Sequence, residues 1–235
     1  FPSETRSDSI QKLYIQLTER PTLLEMCTNP LILSMYVAAE QTAIKRVDPN
    51  TRTEFYREVT SELLFRRRVR ESKSPQIEGS VKDIREAILG RLAFEHLLNP
   101  SEPPNSLSWR HALQITAEEL GQASGETLLL ENPTHFTQVE NFLRDLSVQT
   151  GLITEIQKGE TFLFIHRTFC EFMCAVEATQ GRQNGTIELI NAHKSFTSPE
   201  LKTRLVEVIP FIAGLLPRKE RGDLLNEIIA LQDWS

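Results

Sequence analysis

The stretch from Leu152 to Ile165 constrains the fold most, because it carries the pattern of a β-hairpin in a chain whose other periodic stretches are helical. LITEIQ alternates apolar and polar residues, Lys158-Gly159 provides a tight turn, and ETFLFI has the aromatic and branched side chains of a returning strand. An amphipathic helix follows at once, with apolar residues at helical spacing: Phe169, Phe172, Met173 and Val176. This is the one hairpin that the sequence predicts.

Helices are predicted before the hairpin. Apolar residues recur at helical spacing from Leu13 to Ala39. The pattern breaks near Thr28, where Asn29 is a good N-cap and Pro30 suits the first turn of a new helix. One helix is therefore expected to end near Thr28 and another to begin there.

Two further helices follow along the chain. Thr51 and Glu54 satisfy the S/T-x-x-E capping box, which marks a helix start, and that helix is expected to end by Pro75. Another helix is predicted from Val81 to Leu98, and the turn-rich NPSEPPNS ends it.

The remaining pattern predicts a mainly α fold that contains the single hairpin. After the break come the helices LSWRHALQITAEEL and HFTQVENFLRDLSVQT, the second stopped by Gly151. Helix, helix, two-stranded wing and helix is the order of a winged-helix domain. From Ser198-Pro199 the chain returns to paired helices, ELKTRLVEVIPFIAGLLP and RGDLLNEIIAL.

Composition limits the environment and the partners. A net charge of -6 gives no global electrostatic reason to bind nucleic acid or an anionic membrane. No apolar run approaches the ~20 residues of a transmembrane helix, so no membrane partner is expected. The start FPSETRSDS has neither an initiator Met nor a signal-peptide layout, which suggests a piece of a longer polypeptide. Three cysteines in helical apolar contexts favour a reducing, cytoplasmic compartment.

The sequence offers no catalytic constellation. It contains neither G-x-x-x-x-G-K-[ST] nor G-x-G-x-x-G, and no nucleophile with an adjacent base can be picked out. Cys170 and Cys174 stand at i, i+4 and could in principle share a metal. No histidine or second cysteine pair has ligand spacing, so we interpret both as core residues and expect no metal site.

A winged helix raises the question of DNA, because its third helix commonly enters the major groove. Here that helix carries Glu140, Asp145 and a single Arg144, and it would repel phosphates. The basic run Arg66 to Arg70 is expected near a helix C-terminus, where cations are favoured in any case. Binding of nucleic acid is thus the weaker hypothesis.

Four segments of the chain, in this order, carry a further signal: NPLILSMYVAAE, DPNTRTEFYREVTSELLFRR, ILGRLAFEHL and SVQTGLITEIQKGETFLFIHRTFCEFMCAVEA. Together they resemble the region that follows the ATPase core of NACHT-type STAND NTPases, an NLR-like family, and the resemblance covers nearly the whole chain in the family's order. The most specific part is F-x-F-I-H-R-T-F-x-E-F, although Cys170 and Cys174 stand where the family usually has Gln and Ala.

The resemblance implies three parts. A helical domain following the nucleotide-binding core would span residues 1–78, a winged-helix domain residues 79–181, and the start of a second helical, HEAT-like sensor array residues 182–235. The intact protein would be a P-loop ATPase, whereas this chain lacks the Walker A and B motifs.

The resemblance also implies a switch. ADP or ATP, with Mg bound through the absent core, would lie between the P-loop domain of the same chain and these modules. A proline like Pro30 would pack near the adenine and ribose, and a histidine like His166 would donate a hydrogen bond to the β-phosphate of ADP. Exchange for ATP would let the winged helix swing away and the protein self-associate, in cytoplasmic signal transduction, innate immunity and defence.

Local explanations stand beside these roles. Periodicity alone makes His166 a boundary residue with a local hydrogen bond, and Pro30 is fully explained as a first-turn proline. Glu171 is expected to serve the fold by pairing or capping. For the whole chain, the alternatives are a nucleotide-independent helical interaction module and, less favoured, a winged-helix DNA-binding regulator. An upstream G-x-x-x-x-G-K-[ST] would favour the switch over the module.

Overall fold

A computed structural model describes residues 3–42, 51–65, 75–101 and 106–230. The fold is mainly helical with a small antiparallel sheet of three strands, which confirms the prediction of a mainly α fold. The chain divides into two compact units, Phe1–Glu62 and Leu63–Ser235. Within the described ranges, none of the helices has both the length and the hydrophobicity needed to cross a bilayer.

The first unit contains three helices and the greater part of a fourth: α1 Ser3–Thr18, α2 Pro21–Met26, α3 Pro30–Thr42 and α4 Arg52–Phe65. The single helix predicted before Thr28 is wrong, because Pro21 separates α1 from α2. Pro21 has no N–H to continue α1, and Arg20 before it is extended, with φ -131° and ψ 90°. The predicted helix start at Pro30 is confirmed.

Helix α4 begins as the capping box predicts. The backbone N–H of Glu54 donates to Oγ1 of Thr51 at 3.1 Å. Its buried face supplies aromatic packing, since the rings of Tyr36 and Phe55 lie 6.0 Å apart. The predicted end of this helix, before Pro75, falls outside the described residues.

The second unit contains the sheet and the remaining helices. Its elements are α5 Pro75–Leu98, β1 Leu107–Ser108, α6 Trp109–Ser124, α7 Pro133–Thr150, β2 Ile153–Gln157, β3 Thr161–Phe164, α8 Arg167–Val176, a π-helical turn Glu177–Gly181, α9 Gly185–Ser195, α10 Pro199–Val206, α11 Val208–Leu215 and α12 Arg218–Ala230. Helix α5 starts at Pro75, earlier than the predicted Val81, because proline fits the first helical position.

The sheet has the strand order β1-β3-β2, and both pairings are antiparallel. The predicted hairpin forms β2 and β3, with Gly159 in its turn at φ 72°. The expectation that the sheet holds the hairpin alone is wrong, because Leu107 pairs with Phe162 and adds β1. The sequence pattern instead predicts a helix over the residues of β1.

Helix α8 lies at the centre of the second unit. It packs against α5, α11 and β3, while α6 packs against α5 and α7. Phe169 and Phe172 are buried, and the ring of Phe172 meets that of Phe211 edge-on at 5.4 Å, so their predicted core role is confirmed. The core therefore fixes α8 and, with it, the residue that precedes α8, His166.

Candidate functional site

His166 forms the junction between β3 and α8. Its backbone is extended, with φ -146° and ψ 131°, and it is the N-cap residue of α8. Its ring atom Nδ1 accepts a hydrogen bond from the backbone N–H of Thr168 at 3.3 Å. The prediction of a local hydrogen bond at this boundary is thereby confirmed, and the ring satisfies one of the donors that a helix start leaves open.

The capping bond also determines what the other ring nitrogen can do. An imidazole nitrogen that accepts a hydrogen bond carries no proton, so in neutral His166 the proton is on Nε2. Nε2–H is then a hydrogen-bond donor.

The backbone on both sides of His166 is held in place. The N–H of Ile165 donates to the carbonyl of Leu152 at 3.0 Å, and the N–H of Phe169 donates to the carbonyl of His166 itself at 3.0 Å. Because α8 is buried along nearly its whole length, the imidazole has little freedom to move apart from the second unit.

Arg167 and Glu171 form an ion pair on the first turn of α8. Nε of Arg167 lies 2.7 Å from Oε1 of Glu171, whose side chain is 3% exposed. Another nitrogen of the Arg167 guanidinium donates to the backbone carbonyl of Thr203 at 3.0 Å, just before the end of α10. Glu171 thus serves the fold by pairing, as predicted, and Arg167 ties α8 to α10.

A cavity of about 390 Å³ opens beside His166. It lies among the end of α5, the strands β1 and β3 and the start of α8, and its lining residues are His96, Leu97, Leu107, Leu163, Phe164, Ile165, His166, Arg167 and Cys170. None of these lining residues is a carboxylate. His96 is buried, at 4% exposed, and the sequence did not predict it as a site residue.

Pro30, the second predicted nucleotide contact, lies in the first unit. It is the exposed first residue of α3, and this position accounts for its presence as a first-turn proline. His166 belongs to the second unit. A joint contact of the two residues with one nucleotide stays a prediction.

The cysteines are core residues, as predicted. All three are free and buried, and burial raises the pKa of the Cys27 thiol to about 11. Burial likewise raises the thiol pKa of Cys170 and Cys174 far above the usual range, so both remain protonated at neutral pH. Across the described ranges there is no group of three His, Cys, Asp or Glu side chains that could hold a metal.

Arg144, the one arginine of α7, is engaged by its neighbours. Its guanidinium lies 2.7 Å from Glu155 and 3.1 Å from Glu140, and it stacks over the ring of Trp109 at 4.7 Å. A guanidinium shared by two carboxylates has little charge left for a phosphate. This weighs against DNA recognition by α7. Residues 66–70, the basic run, lie outside the described residues.

An ion-pair network that the sequence did not predict joins α5, the π-helical turn and α9. Arg182 lies 3.0 Å from Glu95 of α5, 3.1 Å from Glu177 and 3.5 Å from Glu188 of α9, and its guanidinium stacks on Phe94 at 4.5 Å. Burial raises the pKa of Glu177, although the hydrogen bond from Arg182 opposes this shift. No sequence pattern signals the contact with Glu95, because it lies 87 positions before Arg182.

No protein family, curated protein or solved structure matches the chain in the three comparisons made.

Proposed function

We propose that this chain is the regulatory segment of a NACHT-type signal-transduction ATPase. It closes over ADP or ATP held by a P-loop domain and switches between a closed, inactive state and an open, self-associating state. The observation that carries the proposal is the capping bond of His166, which places the ring proton of the neutral imidazole on Nε2. Pro30 is the proposed contact for the adenine and ribose.

The topology of the second unit supports the winged-helix part of the proposal. From α5 to β3 the order is helix, strand, helix, helix, strand, strand, and β3 lies between β1 and β2. The helices α9 to α12 follow without further strands in the described residues, as the start of a HEAT-like array would require.

One histidine can bias such a switch. A hydrogen bond to a charged group contributes about 1.5–3 kcal/mol, and a coupling of about 1–3 kcal/mol shifts an equilibrium by about 5- to 150-fold. The bound nucleotide supplies the negative charge of its β-phosphate. The chain supplies a donor whose position is set by a strand on one side and a buried helix on the other.

The test uses the intact polypeptide, in which this chain is joined to its P-loop domain. His166→Ala removes the donor and the cap, whereas His166→Asn removes the imidazole donor and keeps a capping side chain. Both variants are expected to release ADP about 10- to 100-fold faster and to self-associate more readily. His135→Asn, which changes a histidine away from the cavity, is the control. Unchanged ADP release and oligomeric state in both His166 variants would overturn the proposal.

A nucleotide-independent interaction module is the second candidate. It is favoured by apolar side chains on one stripe of α12, where Leu225 and Ile229 stand at i, i+4 and are 47% and 72% exposed. The upstream coding sequence separates the two candidates, since a G-x-x-x-x-G-K-[ST] motif supports the switch and its absence supports the module.

A further inference from the structure

Asn184 is followed by Gly185, and this is the only Asn-Gly pair in the sequence. An asparagine is most reactive in this context, because glycine has no Cβ that would hinder attack by its backbone nitrogen on the preceding side-chain amide. Asn184 is exposed, and it lines a groove of about 270 Å³ among the π-helical turn, α9 and α12. Water therefore reaches its side chain.

A second asparagine, Asn132, occupies the matching position in α7, since each of the two is the N-cap residue of its helix. Oδ1 of Asn132 accepts hydrogen bonds from the N–H groups of Thr134 and His135, at 2.9 and 3.4 Å. Asn132 also precedes Pro133, which has no N–H. The side chain of Asn184, in contrast, forms no capping hydrogen bond, so it can turn towards its own backbone.

The backbone nitrogen of Gly185 is held weakly. Its N–H donates to the carbonyl of Arg182 across a long 3.4 Å, and as the first residue of α9 it lies outside the hydrogen-bond ladder of that helix. The backbone of Asn184 is neither helical nor extended, with φ -122° and ψ 19°. Rotation about ψ of Asn184, which brings the nitrogen of Gly185 to Cγ of Asn184, therefore breaks one weak hydrogen bond.

We propose that Asn184 is a site of spontaneous deamidation, with water as the co-reactant. The nitrogen of Gly185 bonds to Cγ of Asn184, its proton leaves with the side-chain nitrogen as ammonia, and a cyclic imide remains. Water then breaks one of the two bonds that join the imide nitrogen to carbonyl carbons. Cleavage at Cγ yields aspartate. Cleavage at the backbone carbonyl carbon yields isoaspartate, in which the main chain runs through Cβ and Cγ.

The two products differ in how they fit the start of α9. The carboxylate of aspartate can cap the helix, and its charge is favoured at a helix N-terminus. Isoaspartate lengthens the main chain directly before Gly185, which is buried and lies so close to Ala178 that an added Cβ would be 2.7 Å from its backbone. The isoaspartate product therefore displaces the first turn of α9 and weakens the ion pair between Arg182 and Glu188 of that helix.

Peptide mapping by mass spectrometry tests the site. The chain is incubated in mildly alkaline buffer, once folded and once in urea, and each asparagine is followed for its change from amide to acid. In the folded protein, Asn184 is expected to convert before Asn132 and before Asn226, an exposed helical asparagine of α12. The inference is overturned if Asn184 stays an amide in the folded protein, or if it converts no faster than Asn226.

Thermal denaturation tests the consequence for α9. Aged wild-type protein is expected to have a lower Tm than fresh protein, and the decrease should grow with the isoaspartate content. Asn184→Gln, whose longer side chain cyclises far more slowly, should keep its Tm through the same incubation. Fresh Asn184→Asp carries the aspartate product alone and should unfold at no lower temperature than fresh wild type. An equal decrease in wild type and Asn184→Gln would contradict the effect of isoaspartate, and a lower Tm of Asn184→Asp would contradict the capping by aspartate.

Discussion

Nε of Arg167 lies 2.7 Å from Oε1 of Glu171, and this pair joins a half-exposed guanidinium to a carboxylate that is almost fully buried. This difference in exposure determines how much stability is lost when either partner is removed. A buried carboxylate that loses its partner retains its desolvation cost, whereas an exposed guanidinium regains water.

Arg167→Ala is therefore expected to destabilise the second unit more than a surface substitution would. The expected loss is about 1–3 kcal/mol in the free energy of unfolding, measured by urea denaturation. Arg110→Ala, at an exposed arginine of α6, is the control and is expected to change stability by less than about 0.5 kcal/mol. The double variant Arg167→Ala with Glu171→Gln should recover part of the loss, and strict additivity would contradict the pairing.

The cap of α8 gives a second prediction. His166→Ala is expected to lower the free energy of unfolding by about 1 kcal/mol, because the N–H of Thr168 loses its acceptor. His166→Asn and His166→Ser keep a side-chain acceptor and should restore most of that stability. Equal stability of the alanine and asparagine variants would mean that the cap contributes nothing.

Gly185 at the start of α9 gives a third prediction. A Cβ there would come within 2.7 Å of both the Cα and the carbonyl oxygen of Ala178, and backbone atoms cannot easily move aside. Gly185→Ala is expected to cost about 1–3 kcal/mol of stability. Gly222→Ala is the matched control in α12, where a new methyl meets nothing within 4 Å, and it should stabilise by about 0.5–1 kcal/mol. Thermal denaturation distinguishes the opposite signs.

Glu177 gives a prediction about pH. Burial raises its pKa in the folded protein, so that the folded state holds this proton to a higher pH than the unfolded chain does. The stability that the protonated Glu177 side chain contributes is complete below the pKa of Glu177 in the unfolded chain. It is lost as pH rises through the pKa of Glu177 in the folded protein. The free energy of unfolding of the wild type, relative to Glu177→Gln, should therefore fall from acidic to neutral pH in urea titrations. If this difference in the free energy of unfolding rises with pH instead, the prediction is contradicted.

The hairpin was predictable because its side chains alternate and Gly159 marks its turn, so local sequence determines both strands. Strand β1 was not. It has two residues, too few for any periodicity, and Ser108 also accepts a hydrogen bond from the N–H of His111 as the N-cap of α6. Its pairing with β3 depends on the arrival of Phe162 and Thr161 from a later part of the chain.

The residues of the candidate site also differ in how far the sequence predicted them. The local bond of His166 and the first-turn position of Pro30 follow from neighbouring residues, and both were predicted. His96 could not be found from the sequence, because it is one polar position in the mostly apolar end of α5. Only the packing of α5 against α8 brings its ring to the cavity of His166.

The bridge made by Arg182 has a mechanical consequence. Arg182 directly follows the π-helical turn that continues α8, and it forms ion pairs with Glu95 on α5 and Glu188 on α9. A tilt of α8 would therefore either move α9 with it or break the ion pair between Arg182 and Glu188.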